Sequence, residues 1–135
     1  MKEQTQVTPI NSRHRDLKAL MAPFGGWDMP IQYEGIIAEH AWCRQKAALF
    51  DICHMGEFIF QGDFEAGGLE DVFTFSVKTI PIGRSRYGFL LNENGCVIDD
   101  LIVFRIDEET VMIVVNAATI DNDFAVISRR LKGGV

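Results

Sequence analysis

Residues 86–116 read RYGFLLNENGCVIDDLIVFRIDEETVMIVVN, three apolar segments separated by two turn signals. Asn94-Gly95 lies between the first two segments and is the strongest short-range signal for a β-hairpin, because both residue types tolerate the positive φ of a tight turn. A second reversal at residues 107–109 leads to residues 111–115, which are apolar on both faces and therefore predict a central strand. The stretch predicts an antiparallel meander of three strands.

The sequence on either side of this meander predicts one more strand and two helices. Residues 57–61 place two phenylalanines on one face of a short strand. Gly62 and Asp63 then offer a strand stop and the N-cap of a helix. The apolar residues of this helix are Phe64, Leu69, Val72 and Phe73. Gly133-Gly134 predicts the end of a last helix. That helix has one apolar stripe, with i, i+4, i+7 and i+11 spacing, formed by Ile120, Phe124, Ile127 and Leu131.

The order strand-helix-strand-strand-strand-helix predicts an α+β fold, with a largely antiparallel sheet and helices packed on one face of a ferredoxin-like core. We assign this domain to residues 51–135. Residues 1–50 form a separate N-terminal segment, in which the Pro- and Gly-rich residues 22–30 predict a loop and residues 35–49 predict a helix. Two glycines followed by a single valine are typical of a connection to another element, so we expect the chain to be truncated at its C-terminus.

Composition limits the classes of function. The chain has 135 residues, 47% of them hydrophobic, which is enough to form a core. Its net charge of -6 and its scattered basic residues argue against binding to nucleic acid. No stretch approaches the roughly 18 apolar residues of a membrane span, and no apolar signal segment opens the chain. Three widely spaced cysteines indicate a reducing compartment, so we expect a cytoplasmic protein.

The sequence offers little support for a metal or a nucleotide. Asp51 and His54 are two possible metal ligands without a third nearby, a pattern that is more often a turn with a hydrogen-bonded histidine. We therefore predict no metal site. Neither the Gly-x-Gly-x-x-Gly signature nor a phosphate-binding loop occurs, so dinucleotide and nucleoside-triphosphate binding lack their usual signals.

Two adjacent carboxylates, Asp99 and Asp100, stand at the start of a strand that reads as buried. Burying an unpaired carboxylate is costly, so we expect at least one of them to serve binding or chemistry. Side chains alternate along a strand, and the two therefore point to opposite faces. If the following turn centres near Glu108 and Glu109, Asp100 pairs at the level of Asn116. Such a carboxylate and amide can form hydrogen bonds with the donors and acceptors along one edge of a flat heterocycle.

Four motifs follow one another along the chain: residues 24–33 (FGGWDMPIQY), 49–57 (LFDICHMGE), 92–103 (NENGCVIDDLIV) and 114–118 (VVNAA). Together they resemble the N-terminal part of the glycine cleavage system T protein family, the aminomethyltransferases, in the family's order. Each motif is weak by itself, and the four together are specific. The resemblance covers residues 17–125, nearly the whole chain.

The resemblance implies a folate enzyme that takes the aminomethyl group from the lipoyl arm of the H protein, releases ammonia and leaves 5,10-methylenetetrahydrofolate. It implies that Asp100 is the catalytic carboxylate at the pterin of tetrahydrofolate, and that Asn116 binds the same ring system. Phe104 falls where some relatives have a tyrosine, so it supplies packing without a hydroxyl hydrogen bond. Three further residues fall where the family lines the folate cavity: Met55, Tyr87 and Val114.

The resemblance also implies that residues 1–50 belong to a larger folate-binding domain. Family members are much longer, so we expect the 135-residue chain to hold part of the pocket and to be inactive alone. Cys53 replaces the commoner serine before His-Met, and Cys96 replaces the second glycine of Asn-Gly-Gly. A side chain at Cys96 disfavours positive φ, but Gly95 is present to supply it.

Two alternatives stay open at this point. The chain could be another folate-dependent member of the superfamily, such as a demethylase or the folate domain of a sarcosine or dimethylglycine oxidase. It could also be a non-catalytic folate-binding or interaction module. The motifs at residues 26–30 and 53–57 favour the aminomethyltransferase.

Overall fold

The computed structural model describes residues 5–132. These residues belong to two units, Met1–His54 and Met55–Val135, and each unit has its own sheet. Gly133-Gly134, predicted to end the last helix, lie outside the described residues. No helix within residues 5–132 is long and apolar enough to cross a membrane.

Residues 5–54 form a three-stranded sheet and two helices. The strands are β1 (Gln6–Val7), β2 (Leu20–Phe24) and β3 (Trp27–Gln32), in the order β1-β3-β2. The helices are α1 (Asn11–Asp16) and α2 (Ile36–Gln45). The helix predicted over residues 35–49 is confirmed by α2, although it ends earlier, at Gln45.

The loop predicted over residues 22–30 is wrong, because β2 and β3 form an antiparallel hairpin across this stretch. The turn is Gly25-Gly26, with φ values of 55° and 85°, which glycine reaches without strain. Proline lacks the N–H that a central strand needs. Pro23 lies in the edge strand β2, and Pro30 lies beyond the two residues of β3 that pair with β1. Neither proline therefore stands between two paired strands.

A buried carboxylate, Asp51, ties several segments of the first unit together. Its Oδ2 accepts hydrogen bonds from Thr8 Oγ1 at 2.6 Å and His14 Nε2 at 2.8 Å, and its Oδ1 accepts the Cys53 amide at 3.0 Å. An ionised carboxylate only accepts, so Nε2 of His14 carries a hydrogen, and Nδ1 of the same ring is hydrogen-bonded with the Tyr33 hydroxyl at 2.7 Å. Burial raises the pKa of Asp51, but these hydrogen bonds outweigh it and hold the pKa well below its ordinary value.

Residues 55–132 form a four-stranded sheet with one α-helix. The strands are β4 (Gly56–Gln61), β5 (Ser85–Leu91), β6 (Val97–Arg105) and β7 (Thr110–Val115), and the helix is α3 (Ile120–Arg130). The strand order is β4-β7-β6-β5, and every neighbouring pair is antiparallel. The predicted α+β class, the meander and the central position of β7 are confirmed.

The helix predicted after Asp63 is wrong. Asp63 Oδ1 accepts two backbone N–H groups at 2.8 Å, as an N-cap does, but the chain continues only as 3₁₀ turns at Leu69–Asp71 and Val77–Thr79. Gly68, with a φ of 81°, stops helical growth. The predicted ferredoxin-like core requires a helix between its first two strands, and this irregular connection replaces it. The predicted apolar residues are nevertheless buried: Phe64, Leu69, Val72 and Phe73.

The sheet of the second unit has a buried inner face and a half-exposed outer face. Leu101 and Val103 of β6 are 2% and 0% exposed, whereas Asp100, which alternates with them, is exposed on the other side. Val126 and Ile127 of α3 pack with the inner face in the apolar core. We call the opposite side the outer face. It carries Tyr87, Phe89, Asp100, Ile102, Phe104, Met112 and Val114.

Asp51→Asn is expected to lower the free energy of unfolding by about 2–4 kcal/mol near neutral pH, because it breaks a buried hydrogen-bonded network. The folded pKa of Asp51 lies below its ordinary value of 3.8, so the carboxylate stabilises the fold above about pH 4. That contribution is lost as the pH falls further. Urea denaturation of wild type and variant at about pH 7 and about pH 2.5 measures both effects.

Asp16→Asn is the matched control, because Asp16 is an exposed aspartate of the same unit. It is expected to unfold as the wild type does. If Asp51→Asn had the stability of Asp16→Asn at neutral pH, the buried network would contribute nothing to the fold.

Candidate functional site

A tight turn sets the start of the strand that carries the two acids. In the turn between β5 and β6, Asn92 Oδ1 accepts the amides of Asn94 and Cys96, each at 2.9 Å. Gly95 has a φ of 76°, whereas Cys96 has no positive φ and keeps its side chain without strain. The hairpin predicted at Asn94-Gly95 is confirmed.

The register between β6 and β7 brings Asp100 level with Asn116. Ile102 pairs with Val114, so continuing the antiparallel pairing by two residues on each strand places Asp100 opposite Asn116. Asn116 Nδ2 donates hydrogen bonds to the side-chain Oδ1 and to the backbone oxygen of Asp100, both at 3.1 Å. The predicted proximity of this carboxylate and this amide is confirmed.

Tyr87 joins these two side chains on the outer face. It pairs with Ile102, which makes Asp100 its diagonal neighbour, and its hydroxyl donates to Asp100 Oδ2 at 3.1 Å. This bond to Asp100 raises the pKa of Tyr87, because ionising the phenol would set two negative charges side by side. The Tyr87 ring meets that of Phe89 edge to face, with centroids 5.5 Å apart. We call Tyr87, Asp100 and Asn116 the polar cluster.

The other predicted site residues lie at increasing distances from the polar cluster. Met55 directly precedes β4, and the register of β4 with β7, continued by one residue, sets it level with Asn116. Val114 is two residues before Asn116 on β7 and shares the outer face. Phe104 is four residues from Asp100 along β6, roughly 13 Å at the rise of a strand. Met55 and Val114 therefore stand near the cluster, and Phe104 stands apart from it.

Asp99 points to the inner face, opposite to Asp100, as the alternation predicts, and it is 7% exposed. Its Oδ1 accepts Asn116 Nδ2 at 2.8 Å, and its Oδ2 accepts the Asn116 backbone amide at 3.1 Å and Thr119 Oγ1 at 2.8 Å. Burial raises the pKa of Asp99, but these hydrogen bonds and the neighbouring Asp123 outweigh it and lower the pKa. Both acids of the doublet therefore hold Asn116.

Asp123, in the first turns of α3, is a second buried acid beside Asp99. It is 0% exposed, and its carboxyl group lies against the Asp99 side chain. Burial, and then the nearby Asp99 carboxylate, raises the pKa of Asp123 to about 7. Below that pH the pair holds one proton, on Asp123, and one negative charge, on Asp99.

Three neighbours of the polar cluster are not predicted from the sequence. Phe89 follows Tyr87 at i+2 on β5, and that spacing is a signal that could have found it. Thr119 and Asp123 stand at the start of α3, and no spacing in the sequence connects this helix with Asp99. Their contact arises only when α3 packs on the sheet.

The polar cluster presents hydrogen-bond acceptors beside an apolar surface. The Asp100 carboxylate accepts from Tyr87 and Asn116 and, being exposed, has room for a further donor. Acceptors next to an apolar sheet face suit a flat ligand with a donor edge. In the part of the chain that the structure describes, no group of three or more His, Cys, Asp or Glu residues could hold a metal ion.

By its fold, the second unit is an α+β domain built on an antiparallel sheet. The chain belongs to the GCVT N-terminal domain family, whose pattern matches residues 10–135.

Two curated relatives named aminomethyltransferase are similar to the chain. The protein of Herpetosiphon aurantiacus is 41% identical over 126 residues, which are 93% of this chain and 35% of the relative. The protein of Deinococcus deserti is 42% identical over 118 residues, 87% of this chain and 33% of the relative. The chain therefore spans about a third of the length of the curated relatives that it matches.

A solved structure of an aminomethyltransferase is also similar to the chain. The crystal structure of glycine cleavage system aminomethyltransferase T from Bartonella henselae matches with a TM-score of 0.85 and 34% identity, over 94% of this chain and 36% of that chain. The predicted resemblance is confirmed. The demethylase, oxidase and non-catalytic alternatives are not favoured, because the relatives described are aminomethyltransferases.

Asp123→Asn is expected to remove a pH dependence of stability. Folded Asp123 keeps its proton up to about pH 7, whereas the unfolded residue releases it near 3.8. The wild-type free energy of unfolding therefore falls as the pH rises from about 4 to about 7, by at most about 1.4 kcal/mol per pH unit. The neutral amide makes no such contribution, so the variant is expected to be the more stable protein above about pH 7.

Urea denaturation at unit steps from about pH 5 to about pH 8 measures the difference between the two curves. Asp121→Asn, an exposed aspartate of the same helix, is expected to keep the wild-type slope. Parallel curves for the wild type and Asp123→Asn would show that Asp123 is ionised in the fold throughout this range.

Proposed function

We propose that the chain is part of a glycine cleavage system aminomethyltransferase, which transfers the methylene of an H-protein lipoyl-bound aminomethyl group to tetrahydrofolate and releases ammonia. The family membership and the names of the relatives support this proposal. The observation on this chain that carries it is the polar cluster, an exposed carboxylate held by a tyrosine and an amide on a half-exposed apolar face.

Asp100 is the proposed catalytic carboxylate. In the transfer, two folate nitrogens replace the amine nitrogen and the lipoyl sulfur on the methylene carbon, and their two protons leave with ammonia and with the lipoyl thiol. When the first folate nitrogen attacks the methylene carbon, positive charge develops on that nitrogen. A carboxylate within hydrogen-bond distance orients the amine and stabilises the developing charge. The bonds from Tyr87 and Asn116 hold the Asp100 side chain ready for this role without occupying all of its acceptor capacity.

The apolar part of the outer face is the proposed support for the folate ring. Tyr87 is 57% exposed, and Val114, on the other side of Ile102 in the same row of the sheet, is half-buried, so both offer surface to a flat ligand. Met55 is proposed to line the same cavity near Asn116. Phe104 is proposed to pack against a more distant part of the ligand, since it lies roughly 13 Å along β6 from Asp100.

The proposed partners are tetrahydrofolate and the lipoyl-bearing H protein, in the cytoplasm, with no nucleic acid and no membrane. The net charge of -6 supports the exclusion of nucleic acid. Residues 1–50 are proposed to be a segment of a larger folate-binding domain, and residues 51–135 to be the antiparallel α+β domain. Because the chain spans about a third of its relatives, the activity is proposed for the whole enzyme, to which this chain contributes the Asp100 side of the site.

Asp100→Asn is expected to weaken the binding of tetrahydrofolate by about 10- to 100-fold, the range of one charge-assisted hydrogen bond. The fold is expected to survive, because Asp100 is exposed. Anaerobic titration calorimetry of the whole enzyme with tetrahydrofolate measures the affinity, and circular dichroism checks the fold. In the whole enzyme, with aminomethyl-loaded H protein as the substrate, ammonia release by the variant is expected to fall to background.

Asp121→Asn makes the same change of charge on an exposed residue of the second unit that is not part of the polar cluster, and is expected to bind as the wild type does. A whole wild-type enzyme without affinity for tetrahydrofolate would contradict the proposed function. Wild-type affinity in Asp100→Asn would remove Asp100 from the site and leave the folate assignment intact.

A further inference from the structure

The Asn116 side chain has one orientation, because acceptors surround its nitrogen. Nδ2 donates to Asp99 Oδ1 at 2.8 Å and to the Oδ1 and backbone oxygen of Asp100, both at 3.1 Å. Reversing the amide would turn its oxygen toward these three acceptors, none of which can donate a hydrogen bond to it. The amide oxygen therefore lies on the other side, where nothing within residues 5–132 donates to it.

Asp99 is the acceptor in this group that is itself held in place. Its carboxylate is buried, whereas that of Asp100 is exposed. Thr119 Oγ1 and the Asn116 backbone amide both donate to Asp99 Oδ2, at 2.8 and 3.1 Å, which leaves Oδ1 directed at the Asn116 side chain. A buried carboxylate with all these partners has little freedom to turn. Its hydrogen bond to the Asn116 side chain therefore fixes the orientation of that amide.

We propose that Asp99 is a positioning residue of the site. It orients the Asn116 amide so that Asn116 Oδ1 and the Asp100 carboxylate face a ligand as two neighbouring acceptors. This inference rests on the proposed function and deepens it, because two acceptors select a flat heterocycle with two N–H donors on one edge. The two nitrogens of tetrahydrofolate that take up the methylene are such neighbouring N–H donors, which keeps Asp100 at the attacking nitrogen. If the Asn116 amide were rotated, its NH₂ group would face the N–H donors of the ligand, and no hydrogen bond would form between them.

Asp123 provides a matched comparison for this role. It is buried beside Asp99, but it makes no hydrogen bond to Asn116 and lies on the inner side of the sheet. Replacing either acid by asparagine turns one carboxyl group of the same pair into an amide. Only the change at Asp99 alters an acceptor of the Asn116 amide.

The test compares Asp99→Asn with Asp123→Asn in the whole enzyme, first without ligand and then with tetrahydrofolate. An asparagine at position 99 has one acceptor oxygen in place of two. It therefore cannot accept hydrogen bonds from Thr119 Oγ1, the Asn116 backbone amide and the Asn116 side-chain amide together. Heteronuclear NMR is expected to show hydrogen exchange of the Asn116 side-chain NH₂ accelerated at least about tenfold. Calorimetry is expected to show affinity for tetrahydrofolate reduced about tenfold. Asp123→Asn is expected to leave both quantities at wild-type values.

The outcomes separate this inference from the proposed function. If the wild type binds tetrahydrofolate and Asp99→Asn binds it equally well, the positioning role is overturned and the proposed function stands. If the wild type does not bind, the proposed function fails. The hydrogen-exchange rate of the Asn116 side-chain NH₂ in Asp99→Asn then decides by itself whether Asp99 positions Asn116. If Asp99→Asn does not fold, Thr119→Val takes its place. Exchange at least about twofold faster supports the role of Asp99, and unchanged exchange overturns it.

Discussion

The antiparallel register between β6 and β7 is the constraint on which the polar cluster depends. Ile102 pairs with Val114, which sets Asp100 level with Asn116. Ile102 also pairs with Tyr87 of β5, which makes Tyr87 the diagonal neighbour of Asp100. A slip of one residue would turn Asp100 toward the apolar core and expose Asp99, because side chains alternate along a strand. Short turns close both ends of β6, so the register has little freedom.

This register decides the different surroundings of the two adjacent acids, Asp99 and Asp100. Asp100 stands on the outer face, where a ligand can reach it, whereas Asp99 stands inside among hydrogen-bond donors. An inner carboxylate is costly unless it is paired. Here the cost is offset by the amides of Asn116, by Thr119 and by the proton that Asp123 retains. The two acids thus act on one amide from opposite faces of the sheet.

The elements predicted from the sequence are those with strong local signals. The hairpin at Asn94-Gly95 rests on turn chemistry, and β7 rests on a continuous apolar run. The pairing of Asp100 opposite Asn116 follows from counting residues on each side of the turn between β6 and β7. By contrast, the prolines in residues 22–30 suggested a loop, although each stands where a missing N–H does no harm. The N-cap at Asp63 was followed by glycines, which let only 3₁₀ turns form.

The sequence by itself determined the meander, the α+β class, the opposite directions of Asp99 and Asp100, and the pairing level of Asn116. Each of these follows from period, turn type and residue count, which act over a few neighbouring residues. Only the tertiary structure decided that α3 brings Thr119 and Asp123 to Asp99, and that Asp51 gathers Thr8 and His14. Such contacts join residues far apart in the chain, and burial, which no local pattern encodes, sets their hydrogen bonds and their protons.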